Sequence, residues 1–579
     1  INQIDFSCLR LINFKLTGKK NLRIDVFHMI IRYIVFILAF LCFTNLQGQS
    51  TKKPNVVLII IDDLNDFPEG FYGHPQAKTP HMKALGFSGT RFKHAYSNNP
   101  MCGPSRASMF TGVYPHNASH FWMKSWLDNE VLANTKTIME KFKDDGYHVI
   151  GSGKVLHHNK EDVWSEFKYK ADYSPFVYAG DYDRKKKPIS HPDVPAPFRT
   201  NRIVDGLNMG GGFIDGSYGP MKNFGEQKFN GERLWWVYGG FRSGKELKYN
   251  NDKDRDLTPD ELNAQWAEKR LLELAEEDQD APFFLSVGFL RPHTPLIAPQ
   301  KYFDMYPLDS IQLAAILPGD KEDTFLHLVD QFETKNRRTR SVEMFENLVA
   351  SYEDPHEGLK RFTQAYLACV TAVDDNVGQV MRAVNNTSLK DNTIVILTSD
   401  HGWTMGEKDH IYKNSLWEES TRVPLIIRVP DMTVPNTVVE HPVSLIDVYP
   451  TLLELAGIDL ETRKNKKGHG LDGYSLVPFL KNPNADNWQG PEGALSVVYS
   501  SDLNKNIPEN HHYSIRTKDY RYIVYNTGQE ELYDKNLDPK ERNNLIFVKS
   551  HHETANMRAL MKNITYPMVP QGIKLIEDN

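Results

Sequence analysis

Only four cysteines occur in 579 residues: Cys8, Cys42, Cys102 and Cys369. Two belong to the amino-terminal leader region, and the remaining pair cannot build a disulfide framework. Positive charge is not in excess either. The 68 lysines and arginines stand against 74 acidic residues, for a net charge of -6. That balance gives no electrostatic case for a nucleic-acid partner, although a local cationic pocket remains compatible with it. No internal repeat is present. Long apolar runs are also missing. The longest candidate, Tyr33 to Phe43, is short against the ~20 residues of a membrane span. The chain opens on Ile1 and not on methionine. Met29 starts a better leader: Arg32, the apolar run, then Asn45-Leu46-Gln47-Gly48-Gln49. This pattern predicts a signal peptide over 29–48 with cleavage after Gly48, and an upstream extension over 1–28. An amino-terminal anchor is the alternative. Cys42 does not suit lipidation, because Leu41 before it is larger than such sites prefer. Export to a periplasm or beyond is the expectation, with no stable membrane span after cleavage.

What is present is an ordinary soluble composition, 40% hydrophobic and 25% charged. The length calls for two or more packed units at about 100–200 residues each. Pro54 to Ile61 is a β-branched run ending in two aspartates. Similar runs occur at Tyr147–Ile150, Phe283–Val287, Thr393–Leu397 and Pro424–Arg428. Helical spacing lies between them, at Thr137–Asp144, Ala264–Ala275 and Phe362–Val384. Strands alternating with helices predict a doubly wound α/β sheet, with ligands beyond the carboxyl ends of its strands. Tyr173 to Asp256 has no clear period and is expected to form surface loops, with Trp235 and Trp236 as sugar-stacking platforms or simple packing residues. Thr334 to Asp354 is expected to be a polar surface excursion. After Leu455 the runs shorten: Tyr513–Arg516, Tyr520–Tyr525, Glu531–Asp534. They predict an antiparallel sheet. The expected division is a catalytic domain over 49–455 and a smaller subdomain over 456–579.

The adjacent carboxylates Asp62 and Asp63 repel one another unless a cation compensates. Neighbouring side chains on a strand face opposite ways, so the two converge only if the chain curls as the strand ends. Asp400 supplies a third carboxylate from another strand end, with His401 beside it. Three carboxylates favour a hard divalent ion, Ca²⁺ before Mg²⁺. Taken alone, Asp62-Asp63 also fits a solvated turn. Pro104 suits the first turn of a helix, and Gly112 is placed to end it. Residue 102 then lies just before a helix amino terminus, where free amides and the dipole favour negative charge. Arg106 projects from the first turn. An unmodified Cys102 in that position is a candidate low-pKa thiolate.

The run Cys102-Gly103-Pro104-Ser105-Arg106, continued by Ser108, Thr111 and Gly112, resembles the signature of the type I sulfatases. The resemblance extends from about Lys53 to Asn544, and Asp400-His401-Gly402-Trp403 brings it near the branch containing iduronate-2-sulfatase. It implies an alkaline-phosphatase-like α/β fold: a large, mostly parallel central sheet flanked by helices, and a smaller carboxyl-terminal α+β subdomain with an antiparallel sheet. It implies that Cys102 is oxidised by a maturation enzyme to Cα-formylglycine (3-oxoalanine). The hydrated aldehyde then carries two hydroxyls, one attacking sulfur and one later expelling sulfate. One Ca²⁺ per chain is implied, held by Asp62, Asp63, residue 102, Asp400 and His401. The family often has asparagine where His401 stands, whereas the iduronate branch has histidine. In Gly153-Lys154-Val155-Leu156-His157, Lys154 corresponds to a sulfate-neutralising lysine and His157 to a partner of the formylglycine hydroxyl. Lys413 corresponds to the second lysine. His293, in Arg291-Pro292-His293-Thr294-Pro295, corresponds to the acid that protonates the departing sugar oxygen, a role that suits a pKa near neutrality. Trp403 and His410 are candidates for shaping the substrate pocket. The resulting expectation is an exported, calcium-dependent sulfatase. It would act on a sulfated oligosaccharide, at a 2-O-sulfated uronate or similar sugar from ulvan-like algal polymers or glycosaminoglycans. The alternatives are a phosphate or phosphonate ester hydrolase on the same fold, and a silent carbohydrate-binding homologue.

Overall fold

The β-branched runs form the middle of a nine-stranded sheet. Its strands are β1 (Asn55–Ile61), β2 (Thr90–Tyr96), β3 (His148–Gly153), β4 (Glu166–Phe167), β5 (Phe283–Phe289), β6 (Thr393–Ser399), β7 (Arg422–Arg428), β8 (Thr437–Val439) and β9 (Val443–Ser444). They lie in the order β8-β2-β7-β6-β1-β5-β3-β4, with β9 also paired to β2. This computed structural model describes residues 52–200, 214–240, 243–277, 281–314, 316–325, 340–500, 506–548 and 552–578. The leader and the upstream extension expected over 1–48 lie outside them. Among the described residues no helix is long and apolar enough to cross a membrane.

β1 sits at the centre, parallel to β5 on one side and to β6 on the other, so that Val57 faces both Leu285 and Val395. Its seven residues are all buried. Alternate side chains feed two different cores. Val57, Ile59 and Ile61 join one apolar cluster, and Val56, Leu58 and Ile60 join the other. This is why a continuous apolar run, not an alternating one, marks the strand. Helices α3 (Pro259–Glu276) and α4 (Pro355–Asn385) pack on the first face. Helices α1 (Cys102–Thr111), α2 (Ile138–Asp144) and α5 (Val448–Ala456) pack on the second. The starts are written in the sequence. Thr137 with Glu140 caps α2, and Thr258 with Glu261 caps α3, each as a reciprocal capping box.

Three expectations change. The run at Pro424–Arg428 belongs to β7, which is antiparallel to both neighbours, Thr398 facing Leu425. Apolar runs report burial and carry no information on strand direction. Within 173–256, strands Phe176–Ala179, Lys228–Phe229 and Glu232–Val237 form a small sheet instead of free loops. Trp236 is buried there against Phe224, and its indole N–H donates to the Lys222 carbonyl at 2.8 Å, so it packs the segment and offers no platform. Trp235 is half-buried, with its N–H on the Gly180 carbonyl at 2.9 Å. The supposed excursion contains the helix Arg340–Val349, whose Met344 and Leu348 enter the core.

The carboxyl-terminal strands β10 (Gly493–Val498), β11 (His512–Thr517), β12 (Tyr520–Val524) and β13 (Glu530–Asp534) form an antiparallel meander. It is fastened beside the amino-terminal end of α1. The Val497 amide donates to the Asn98 carbonyl at 2.9 Å, and the Ser496 hydroxyl to the Ser97 carbonyl at 2.5 Å. A buried ionic cluster adds to the junction: Arg521 bridges Glu418 at 2.6 Å and Glu541 at 2.5 Å.

Candidate active site

The four adjacent parallel strands β6, β1, β5 and β3 deliver their carboxyl ends to one place. Asp400 and His401 follow β6, Asp62 and Asp63 follow β1, His293 lies four residues beyond β5, and Lys154 follows β3. The curl that lets both aspartates point inward is observed: Asp63 has φ of 59°, and its amide donates to Asp400 Oδ1 at 3.2 Å. The Tyr366 hydroxyl holds the Asp63 carbonyl at 2.7 Å. From the other side comes α1. Cys102 is its first residue and not the residue before it, with Met101 as the extended cap and Gly112 ending the helix at φ of 71°.

Cys102 Sγ lies 3.1 Å from Lys413 Nζ, 3.3 Å from His401 Nε2 and 3.8 Å from Asp63 Oδ1. Lys413 also donates to both oxygens of Asp63, at 2.8 and 3.0 Å. Lys154 donates to Asp62. Arg106 is wholly buried and works as a fork. Its Nε donates to Asp400 Oδ2 at 2.9 Å, and a terminal nitrogen donates to Asp62 Oδ1 at 2.9 Å. The other terminal nitrogen reaches the carbonyls of Lys154 and Val155. Planar bidentate geometry of this kind needs arginine and is not met by lysine.

The electrostatics divide the aspartates. Burial works to raise Asp62, but Lys154 and Arg106 hold its carboxyl well below the usual range. Burial prevails at Asp63 over Lys413 and His401 and pushes it up to about 7. Burial likewise pushes the Cys102 thiol up, against the pull of Lys154 and Lys413. A spontaneously ionised thiolate is therefore not what this pocket favours. Cys369, the other described cysteine, lies inside α4, where burial pushes its thiol up to about 12 and leaves it inert. Burial and then Lys413 and Lys154 hold His293 well below the ordinary histidine range.

The donor set fits a hard cation. Atoms of Asp62, Asp63, Cys102 and His293 lie within 4.8 Å of one another, and so do atoms of Cys102, Asp400 and His401. His401 Nδ1 is 3.0 Å from the Gly402 carbonyl, which can only accept. A ring hydrogen therefore sits on Nδ1, and Nε2 is the nitrogen turned toward Cys102 and Asp63, where it would serve as the ligand atom to a metal.

Of the remaining candidates, His157 is half-buried beside the cluster. Burial and Lys154 lower it to about 3, and its ring meets His158 at 3.5 Å and not Cys102. Trp403 is buried, edge-on to Tyr412, with Lys413 Nζ 5.7 Å from its ring. It touches the site through Lys413. His410 is buried against Trp417, its Nδ1 on the Lys408 carbonyl at 2.6 Å. Its partners are those, not the groups around Cys102. Tyr366, Tyr173 and Arg291 support the site without any local motif that would single them out.

One tight approach seats Lys154. A Cβ on Gly288 would stand 2.1 Å from the Lys154 carbonyl oxygen, which is backbone and cannot swing aside. Gly288→Ala should cost roughly 1–3 kcal/mol through overpacking, and should lower turnover in parallel because the Lys154 turn also binds Arg106. Urea unfolding and steady-state rates check this, and full activity in a destabilised variant would separate the turn from the chemistry.

A family model described as Sulfatase matches residues 54–458, and one described as N-sulphoglucosamine sulphohydrolase, C-terminal, matches 406–566. A sulfatase of Formosa agariphila is 32% identical over 86% of this chain and 85% of its own length. An ulvan-active sulfatase of the same organism is 26% identical, over 86% and 78%. The iduronate 2-sulfatase of Mus musculus is 26% identical, over 87% and 90%. Among solved structures, one determined with D-glucosamine-2-N,6-O-disulfate superposes with a TM-score of 0.59 at 18% identity, covering 90% of this chain and 99% of that one. At that identity the superposition speaks for the fold alone.

Proposed function

We propose, from the premise that this chain belongs to the sulfatase family and is a sulfate ester hydrolase, that it is exported and Ca²⁺-dependent and removes sulfate from a sugar by way of formylglycine at position 102. The observation that carries the reading is the seat of Cys102: a helix amino terminus, Lys413 at 3.1 Å, and carboxylates from two neighbouring strand ends gathered by one guanidinium. Formylglycine would supply a recyclable oxygen nucleophile, and Ca²⁺ held by Asp62, Asp63, residue 102, Asp400 and His401 would supply the positive charge that activates it. The chain's own residues do the rest. Arg106 keeps Asp62 and Asp400 in register. Lys154 and Lys413 face the position of the sulfate oxygens and neutralise the charge gathered there. A sulfate ester seated between those lysines offsets the two cations that add to burial in holding His293 low, and its negative charge favours the protonated ring. The imidazole then takes up the proton it gives to the departing sugar oxygen.

The substrate class rests on the Asp400-His401-Gly402-Trp403 pattern and on the activities named for the relatives. They support a 2-O-sulfated uronate or a sugar of similar shape, taken from the end of an oligosaccharide of algal or glycosaminoglycan origin. The leader pattern supports a periplasmic location, and the change of character near Leu455 supports the division into 49–455 and 456–579. A maturation enzyme is required as partner.

Rates on 4-nitrophenyl sulfate and 4-nitrophenyl phosphate, which share a leaving group, test the reaction class. Sulfate should be preferred, and a preference for phosphate would assign the chain to ester hydrolysis of the other kind. Chromatography of products from a panel of sulfated oligosaccharides tests the sugar. Removal of divalent ions with a chelator should lower turnover by about 10²-fold or more, since metal charge stabilisation is worth several kcal/mol. Ca²⁺ should restore it better than Zn²⁺, as an oxygen-rich donor set demands. Turnover unchanged by chelation would remove the cation from the scheme.

A further inference from the structure

We propose that Tyr173 is a further catalytic residue of this site, its hydroxyl donating a hydrogen bond to the ester oxygen that leaves with the sugar. The inference deepens the sulfatase reading and rests on it. The Tyr173 ring stands 5.0 Å from the His293 ring at 75°, an edge-to-face contact, and 4.9 Å from Lys154 Nζ. It therefore bridges the group that neutralises sulfate and the group that protonates the leaving oxygen.

Exposure strengthens the placement. Around residue 102, the side chains of Asp62, Asp63, Lys154 and Lys413 are between 0% and 5% exposed. His293 is 11% exposed, while Tyr173 and His157 are half-buried. A sugar reaching the buried cluster thus meets Tyr173 and His293 on its way. The Lys154 ammonium can only donate, so it takes a lone pair of the Tyr173 hydroxyl and leaves that O–H free to donate to the ester.

The placement is also rigid. Arg291 is buried, and one terminal nitrogen donates to the carbonyls of Tyr173 and Ser174, each at 3.1 Å. Its other terminal nitrogen donates to the His293 carbonyl at 3.2 Å, and its Nε to the Ile297 carbonyl at 3.0 Å. Asp260, at the start of α3, accepts the amides of Leu290 and Arg291 at 2.8 Å each. A single guanidinium therefore sets Tyr173 and His293 relative to one another, as a pair acting on one atom requires. The proton inventory is closed: the hydroxyl keeps its proton throughout, and His293 supplies the one transferred.

The test uses matured protein and two aryl sulfates that differ in how much help their leaving oxygen needs, so it does not depend on knowing the sugar. Phenyl sulfate releases a phenol of pKa ~10, whereas 4-nitrophenyl sulfate releases a far better leaving group. Tyr173→Phe keeps the ring and removes the hydroxyl. It should lower kcat/KM on phenyl sulfate by roughly 10–100-fold and leave 4-nitrophenyl sulfate within a few-fold of wild type. Tyr173→Leu removes the ring as well and should lower both, because His293 and Lys154 lose their common support. Equal loss on the two esters in Tyr173→Phe, or no loss on either, would overturn the proposal. Wild type that carries the aldehyde and hydrolyses neither ester would instead sink the underlying reaction, and this inference with it.

Discussion

Cys102→Ala and Cys102→Ser proteins should fold normally and lose turnover by roughly 10⁴-fold or more, the scale seen when a nucleophile is deleted. The fold should survive because the residue is small and sits at the first position of α1, where alanine is a good helix former. Its sulfur touches Lys413, His401 and Asp63, groups that also hold one another, so the cluster keeps most of its contacts. Serine is the sharper variant. It places an oxygen near the same point and, while it stays unoxidised, offers one hydroxyl where the reaction needs two on one carbon. Intact-mass analysis of wild type should show the aldehyde at position 102, and urea midpoints of the variants should stay close to wild type. Robust turnover by Cys102→Ser whose intact mass shows an unoxidised serine would falsify the formylglycine route and return the pocket to ordinary hydroxyl chemistry.

Arg106→Ala should be the most damaging substitution for stability in the site, at about 3–5 kcal/mol. The guanidinium is 1% exposed and lies on Asp62 and Asp400, both with no exposed surface. Its removal leaves two buried carboxylates without their shared partner and two backbone carbonyls without a donor. The net worth of such a pair against an apolar replacement is small, but the cost of orphaning one side is large. Arg106→Lys should lose less stability and still lose turnover, because one ammonium cannot span both carboxylates and both carbonyls. Added Ca²⁺ should raise the unfolding midpoint of Arg106→Ala more than that of wild type, since a cation bound only by the folded site supplies the missing charge. Chemical denaturation with and without Ca²⁺ measures both effects. A midpoint for Arg106→Ala equal to wild type without the ion would show that the carboxylates are not held by this guanidinium.

Much of the site is legible in one dimension because its members cluster within short motifs. Asp62-Asp63 follow an uninterrupted apolar run, Asp400-His401 follow another, and Cys102 to Gly112 spell a helix from start to stop. Strand ends are where an α/β sheet exposes side chains, so the placement of these groups follows from the pattern. The supporting residues are different in kind. Arg291 lies in the stretch that marks His293, but nothing local gives it a role of its own, and its partners at Tyr173 and Ser174 lie 118 and 117 residues away. Tyr366 reaches the Asp63 carbonyl across 303 positions. Trp236 and the strand that carries it gave no period, because a six-residue strand in a three-stranded sheet presents too few alternations to stand out.

The order of apolar runs along the chain was sufficient to determine a layered α/β architecture with a second, antiparallel sheet, since burial on both faces leaves a compositional trace that needs no partner to read. Adjacency likewise determined which carboxylates, histidine and cysteine gather beyond the strand ends. Direction and company were decided only in three dimensions: that β7 runs against its neighbours, that one arginine gathers Asp62 and Asp400, and that Tyr173 leans on His293. The reason is the same in each case. Hydrophobic burial is a property of single residues, whereas pairing, register and ion-pair geometry are properties of residues brought together across hundreds of positions.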